Sequence, residues 1–326
     1  MKMAPKLKFI KMKRPFIFLF LTSLLLSGCS NAPLERRVFC FDSMMNIKLF
    51  EGEETDLDNI EKIFSRFGKL SDNYQARDII NVYSINQTNE EVEIDKDLYN
   101  LLETSFNVPS LGANHFNPLC GSLAKRWKES LSKNEVLSNS IIESELSKIN
   151  SSSISFKDGN IVQRNGEAEI DLGAIAKGYC LDKIKDYLNS KDFKKYLINA
   201  GYSSILLGEK NVDDGYFKVG INNLNGAYLK LKNCFISTSG TEEQSTTIDG
   251  ITYSHIINPS NGSAVSNYDN VIVISDSGYL CDALSTSLMM ADLNEIKEVE
   301  EQCFVQVIAI KDKQIIYKNS SLEVYK

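Results

Sequence analysis

"DLGAIAKGYCLDKIKDYLNSKDFKKYLINAGYSSILLG", residues 171–208, is where the chain changes period. Wound as a helix from Gly173 to Leu188, its first half gathers Cys180, Leu181, Ile184, Tyr187 and Leu188 on one face and Asp182, Lys185, Asp186 and Asn189 on the other. Its second half, "KYLINAGYSSILLG", is β-rich. Upstream, "RVFCFDSMMNIKLF" reads as extended, and "TDLDNIEKIFSRFGKLSDNY" as a helix with Asp near its start. Further helices are expected around Asp95 to Asn107, Leu119 to Leu131 and Ser140 to Ile149. "SSSISFKDGNIVQRNGEAEI" then reads as short strands joined at Asp158-Gly159 and Asn165-Gly166. Downstream, "YFKVGIN", "AYLKLKNCFISTSG" and "TYSHIINP" are β-rich, "NVIVISDSG" leads into a helix from Gly278 to Met290, and "FVQVIAI" and "QIIYK" close the chain as strands. Helices clustered early and strands clustered late predict one α+β domain with a largely antiparallel β core.

The 326 residues are 43% hydrophobic and 24% charged, a globular balance with enough apolar material for a sizeable core. Residues 1–28 stand apart: six basic and no acidic residues, then "PFIFLFLTSLLL", then "LSGC" ending at Cys29. The apolar run falls short of the roughly 20 residues of a membrane span. It resembles a bacterial lipoprotein signal, which implies cleavage before Cys29 and lipid on its thiol; an uncleaved anchor is the alternative. Either reading places the chain outside the cytoplasm, with a signal at 1–28, a lipidated tether at 29–37 and a single domain at 38–326. Loss of the six positive charges takes the net charge from −7 to −13, which disfavours a nucleic-acid partner. Cys40, Cys120, Cys180, Cys234, Cys281 and Cys303 show no CxxC or metal-ligand spacing and are expected to be mostly free thiols.

Three features carry chemistry. Lys177 falls in the apolar face of the first turn of its helix: either its stem snorkels past the edge, or the ammonium and the helix N-terminus together bind a phosphate-like anion. In "YLCDALSTSLMM", Leu280, Leu284, Leu288 and Ala291 form one stripe, with Asp282, Ser285 and Thr286 opposite. That polar face is either solvated or a set of hard oxygen donors for Mg²⁺. His255, in an extended run before Pro-Ser-Asn-Gly, is either a proton acceptor or a hydrogen-bonded structural histidine. "STSG", ending at Ser239 and Gly240, suits close backbone approach to a ligand as well as an ordinary strand end.

Taken together and in order, "DLGAIAKGY", "STSG", "YSHIINPSNG" and "DALST" resemble the signatures of the FAD:protein FMN transferases, the ApbE family; "NYQARDIINVYSIN" and "HFNPLCGSLAKRW" extend the likeness over most of the chain. The resemblance implies an ApbE-like α+β fold and Mg²⁺-dependent transfer of FMN from FAD to a threonine or serine hydroxyl of an exported acceptor protein, with release of AMP. It implies metal ligation by the Ala174 carbonyl, Asp282 and Thr286, with Ser285 beside them. FAD contacts are implied at Tyr74, at His115, Phe116 and Asn117, at Asp171 and Lys177, at Ser239 and Gly240, and at His255 and Ile256. His255, Asp282 and Lys177 would be the catalytic set. The chain departs from the family pattern at Asn117 and Asn258, where aspartates are usual, and in "NAGYSS" and "FDSMM". Hydrolysis of FAD to FMN and AMP at the same site, or flavin binding without chemistry, are the alternatives.

Overall fold

The computed structural model describes residues 32–210, 214–241, 245–264 and 266–326. The signal at 1–28 and Cys29 lie outside them. The strands are β1 (Leu34–Cys40), β2 (Ser43–Leu49), β3 (Glu91–Glu93), β4 (Ser153–Lys157), β5 (Ile161–Asn165), β6 (Tyr196–Ala200), β7 (Ser204–Leu207), β8 (Phe217–Gly220), β9 (Tyr228–Leu231), β10 (Cys234–Gly240), β11 (Ser245–Ile248), β12 (Ile251–Ser254), β13 (Asn270–Ser275), β14 (Gln306–Lys311) and β15 (Gln314–Lys318). The helices are α1 (Glu54–Leu70), α2 (Val82–Asn86), α3 (Lys96–Asn107), α4 (Gly121–Ser132), α5 (Asn139–Ser151), α6 (Ala176–Ser190), α7 (Gly278–Ser287) and α8 (Leu293–Cys303).

Eight strands form one sheet in the order β1-β2-β6-β7-β10-β13-β14-β15, and every neighbouring pair is antiparallel. The expected α+β class and antiparallel core are therefore present. The middle of the sheet is buried on both faces, which is why β13 and β14 read as unbroken apolar runs instead of alternating. Val271, Val273, Val307 and Ala309 pack toward the larger core that holds α1, α3, α6 and α7. Ile272, Ile274, Ile308 and Ile310 face a smaller core closed by Phe217 of β8 and Leu229 of β9. At about 25 cal/mol per Å² of buried apolar surface, these two layers are the main stabilising contribution.

Three expectations are corrected. Residues 34–37, read as tether, pair with β2 from Leu34↔Leu49 through Arg37↔Asn46, because the Phe41-Asp42 turn folds β1 back along the whole of β2. Asp158-Gly159 does join β4 to β5, but Asn165-Gly166 opens no second hairpin. Gly166, at φ +106°, packs on Ser152 and sends the chain into an irregular segment pinned by Ala168 N–H donating to Ser152 Oγ (3.0 Å). The third concerns His255, read as part of an extended run: the strand ends before it, at Ser254, the last residue of β12 in a two-stranded ribbon separate from the main sheet. Its loop is instead anchored by Ile256 N–H donating to the buried Ser254 hydroxyl (3.2 Å) and Asn258 N–H donating to the Ser263 carbonyl (2.8 Å).

Candidate active site

Two helices start at the same place, and their starts build the site. Leu172 O accepts from Ile175 N–H (3.0 Å) and Ala176 N–H (2.9 Å), so residues 173–175 form a turn and α6 begins at Ala176 rather than Gly173. Lys177 is thus the second residue of α6, at the positive end of the helix dipole. Its ammonium donates to the Ser203 hydroxyl in the turn between β6 and β7.

Helix α7 runs against α6 over a pair of glycines. A Cβ on Gly178 would overlap the Gly278 carbonyl, and a Cβ on Gly278 would overlap the Gly178 carbonyl. That approach places Asp282 under the first turn of α6. The carboxylate is 6% exposed and accepts from Gly178 N–H on Oδ2 (2.5 Å) and from the Ser204 and Ser237 hydroxyls on Oδ1 (2.5 and 2.6 Å). Ser239 Oγ lies 2.9 Å from Ser285 Oγ and 3.1 Å from Thr286 Oγ1. The Asp282 face of α7 is therefore no open surface: Asp282 and Ser285 are buried and Thr286 half-buried, a cluster of oxygen donors at the end of β10.

Lys177, Ala174, Asp282, Ser285 and Thr286 open onto one cavity of about 400 Å³. His115, Phe116, Asn117, Asp171, Ser239, Gly240, His255 and Ile256 line it too. Sequence reasoning thus named thirteen of the cavity's residues, from five separate segments. Gly240 is required by close approach: a Cβ there would overlap the Asn270 amide and stand 3.2 Å from the Asp269 carbonyl. Asn117 Oδ1 accepts from Leu119 N–H (2.9 Å), a bond that a carboxamide makes as well as a carboxylate. Asp171 Oδ1 accepts from Gly173 N–H (2.7 Å) and so shapes the turn before α6. His115 Nε2 stands 3.3 Å from Glu295, while its Nδ1 is buried without a partner.

Tyr74 departs from expectation. Asp72 Oδ1 accepts from Tyr74 N–H (2.8 Å) and Gln75 N–H (3.2 Å) in a tight turn that leaves the ring 52% exposed, beneath the Lys125 and Lys128 ammoniums, and outside the cavity lining. Asn258 likewise stays out of the lining and serves the Pro-Ser-Asn-Gly turn, its Oδ1 accepting from Ser260 N–H (2.9 Å).

The sequence reading missed Ser204 and Ser237, which seat Asp282, and Asn270, which closes on Gly240. Ser237 carried a signal: it is the first hydroxyl of "STSG" and alternates with Ser239 along β10. Cys120, also in the cavity wall, is a free thiol that burial pushes up to about 12, so it stays protonated near neutral pH and offers no competing nucleophile. The six described cysteines are all free, as expected.

The donor set suits a hard divalent cation: one carboxylate, two hydroxyls and a main-chain carbonyl, with no sulfur or imidazole. Among the described residues no cluster of three or more His, Cys, Asp or Glu offers an alternative. Asp282 is buried with only neutral donors around it, a carboxylate that a cation in the cavity would complement.

A family model described as the ApbE family matches residues 41–309. The chain is 26% identical over 271 residues to the FAD:protein FMN transferase of Klebsiella pneumoniae, covering 78% of this chain and 83% of that one. It is 27% identical over 217 residues to the FAD:protein FMN transferase of Treponema pallidum, covering 60% of each. The crystal structure of the ApbE protein of Thermotoga maritima superposes with a TM-score of 0.76 at 25% identity, over 89% of this chain and 97% of that one. By the extent of the match and the fold it shares, the chain belongs to the ApbE family.

Proposed function

We propose that this protein transfers FMN from FAD to a threonine or serine hydroxyl of an acceptor protein, in an Mg²⁺-dependent reaction that releases AMP. The observation that carries the reading is the single cavity onto which a helix-start lysine and a buried oxygen cluster both open. A dinucleotide's diphosphate needs positive charge on both flanks: the lysine supplies it on one, and a divalent cation held by the oxygen cluster would supply it on the other.

Asp282, Thr286 and the Ala174 carbonyl would hold the metal, with Ser285 beside them, and Mg²⁺ there would supply Lewis-acid withdrawal of charge from the phosphate oxygens. Lys177 and the positive end of the α6 dipole offset the remaining negative charge on the diphosphate. His255 accepts the proton of the incoming hydroxyl, whose oxygen bonds to the FMN phosphorus as the bridging P–O bond breaks and the oxygen leaves with AMP. His115, Phe116, Asn117 and Ile256 form a wall against which the flavin or adenine ring rests, which keeps water away from the reacting phosphorus. We also propose that acylated Cys29 holds the enzyme at the outer face of a bacterial membrane, where the acceptor is an exported protein; Cys29→Ala would then release it into the soluble fraction.

The test is incubation with FAD, Mg²⁺ and a threonine-bearing exported flavoprotein subunit. Flavin fluorescence that survives denaturation, with one AMP per flavin attached, supports transfer. Free FMN with AMP identifies hydrolysis, and intact FAD rejects both.

A further inference from the structure

Helices α6 and α7 each begin without a side-chain cap of their own. Neither Ile175, at the N-cap of α6, nor Ser277, at that of α7, makes a capping bond. Open amides at a buried helix start need partners. Each helix finds them on the other. Gly178 N–H of α6 donates to Asp282 Oδ2 of α7 (2.5 Å), while Gly278 N–H and Tyr279 N–H of α7 donate to Asp182 Oδ1 and Oδ2 of α6 (2.7 and 2.8 Å). The two halves have the same grammar, a glycine followed one turn later by an aspartate: Gly178 with Asp182, and Gly278 with Asp282. At the crossing point the glycines leave no room for a side chain on either helix.

We propose that Asp182, which does not line the cavity, is the positioning residue for Asp282. The inference rests on the metal role assigned to Asp282 above. Asp282 reaches its place only if α7 starts at one height against α6, and Asp182 sets that height by holding the first two amides of α7. With Asp182 gone, those amides lose both acceptors, α7 shifts along the glycine contact, and Asp282 leaves the Gly178 amide. Phe116 and Ile256 line the cavity from other segments, so the loss is felt at the metal position before it is felt at the rings of FAD.

The experiment compares full-length wild type, Asp182→Ala and Asp182→Asn; the amide variant keeps one acceptor oxygen. Hydrogen exchange of the Gly178 amide is followed without metal, and Mg²⁺ is titrated by calorimetry. Asp95→Ala, which removes the acceptor of Asp97 N–H at the start of α3, controls for the loss of an ordinary helix cap. The expected result is about tenfold faster exchange at Gly178 in Asp182→Ala, a smaller rise in Asp182→Asn, and no change in Asp95→Ala. Mg²⁺ affinity falls in the same order. Gly178 exchange within twofold of wild type in both variants overturns the proposal, as does faster exchange with Mg²⁺ affinity unchanged. Should Asp182→Ala fail to fold, Asp182→Asn alone decides. A wild type that binds no Mg²⁺ counts against the metal assignment, while Gly178 exchange still judges the coupling between the two aspartates.

Discussion

Gly178→Ala sets two effects of opposite sign against each other. On helix propensity alone, alanine in α6 is favoured over glycine by about 0.5–1 kcal/mol, and Gly178 has no positive φ to forbid it. Packing argues the other way. The added Cβ would stand 2.6 Å from the Gly278 carbonyl carbon and 2.9 Å from Asp282 Cγ. Ordinary carbon contacts lie at about 3.5–4.0 Å, so the helices must part by roughly 1 Å. Overpacking of this kind costs about 1–3 kcal/mol. Parting the helices also stretches the Gly178 N–H bond to Asp282, a bond to a charged group that contributes about 1.5–3 kcal/mol. Packing wins, and the variant is predicted to lose about 2–4 kcal/mol net, together with its Mg²⁺ response. Urea denaturation read by circular dichroism, with and without Mg²⁺, measures both. A Gly178→Ala protein as stable as wild type would refute the claim that the helices meet at these glycines.

Other substitutions give separate readings. Asp282→Ala strands the Gly178 amide and the Ser204 and Ser237 hydroxyls, each costing about 1–3 kcal/mol if left unsatisfied, and should abolish AMP release at any Mg²⁺ concentration; full turnover without added metal would remove the metal role. Lys177→Met should weaken FAD binding and turnover together by roughly ten- to a hundredfold, the range of a lost charge-assisted bond, whereas a change confined to turnover would place the ammonium away from the bound diphosphate. Asp182 also gives a pH dependence: burial raises its carboxyl from 3.8 to about 6, against the pull of the Gly278 and Tyr279 amides and Lys185. The folded state therefore holds this proton more tightly, and the contribution to stability falls as pH rises from about 4 to about 6, by at most about 3 kcal/mol. Denaturation midpoints of wild type and Asp182→Asn across that window should diverge in favour of the variant, and parallel curves would contradict it.

Much of the site was legible because its chemistry is written in contiguous motifs. A lysine on an apolar helix face and an Asp-Thr pair one turn apart are local anomalies, and both open onto the cavity. The sheet was legible from the doubly buried runs of β13 and β14. Illegible were the features that depend on what another segment brings. Nothing near Ser204 or Ser237 says that their hydroxyls meet at Asp282, and nothing in "AKGY" says that Gly178 faces a second glycine a hundred residues on. The place of Tyr74 outside the cavity lining was illegible for the same reason: its outward turn is set by Asp72, and the lysines over its ring come from α4. The tether boundary erred because pairing to β2, rather than any property of residues 34–37 themselves, makes them a strand.

In the proposed reaction a divalent cation at Asp282 and the ammonium of Lys177 hold one diphosphate between them. A crystal structure of the protein with FAD and Mn²⁺, located by its anomalous signal, would show this arrangement. Mn²⁺ is expected to be bound by Asp282 and Thr286, with the diphosphate between it and Lys177. Manganese elsewhere, or a diphosphate lying out at Lys125 and Lys128, would contradict it.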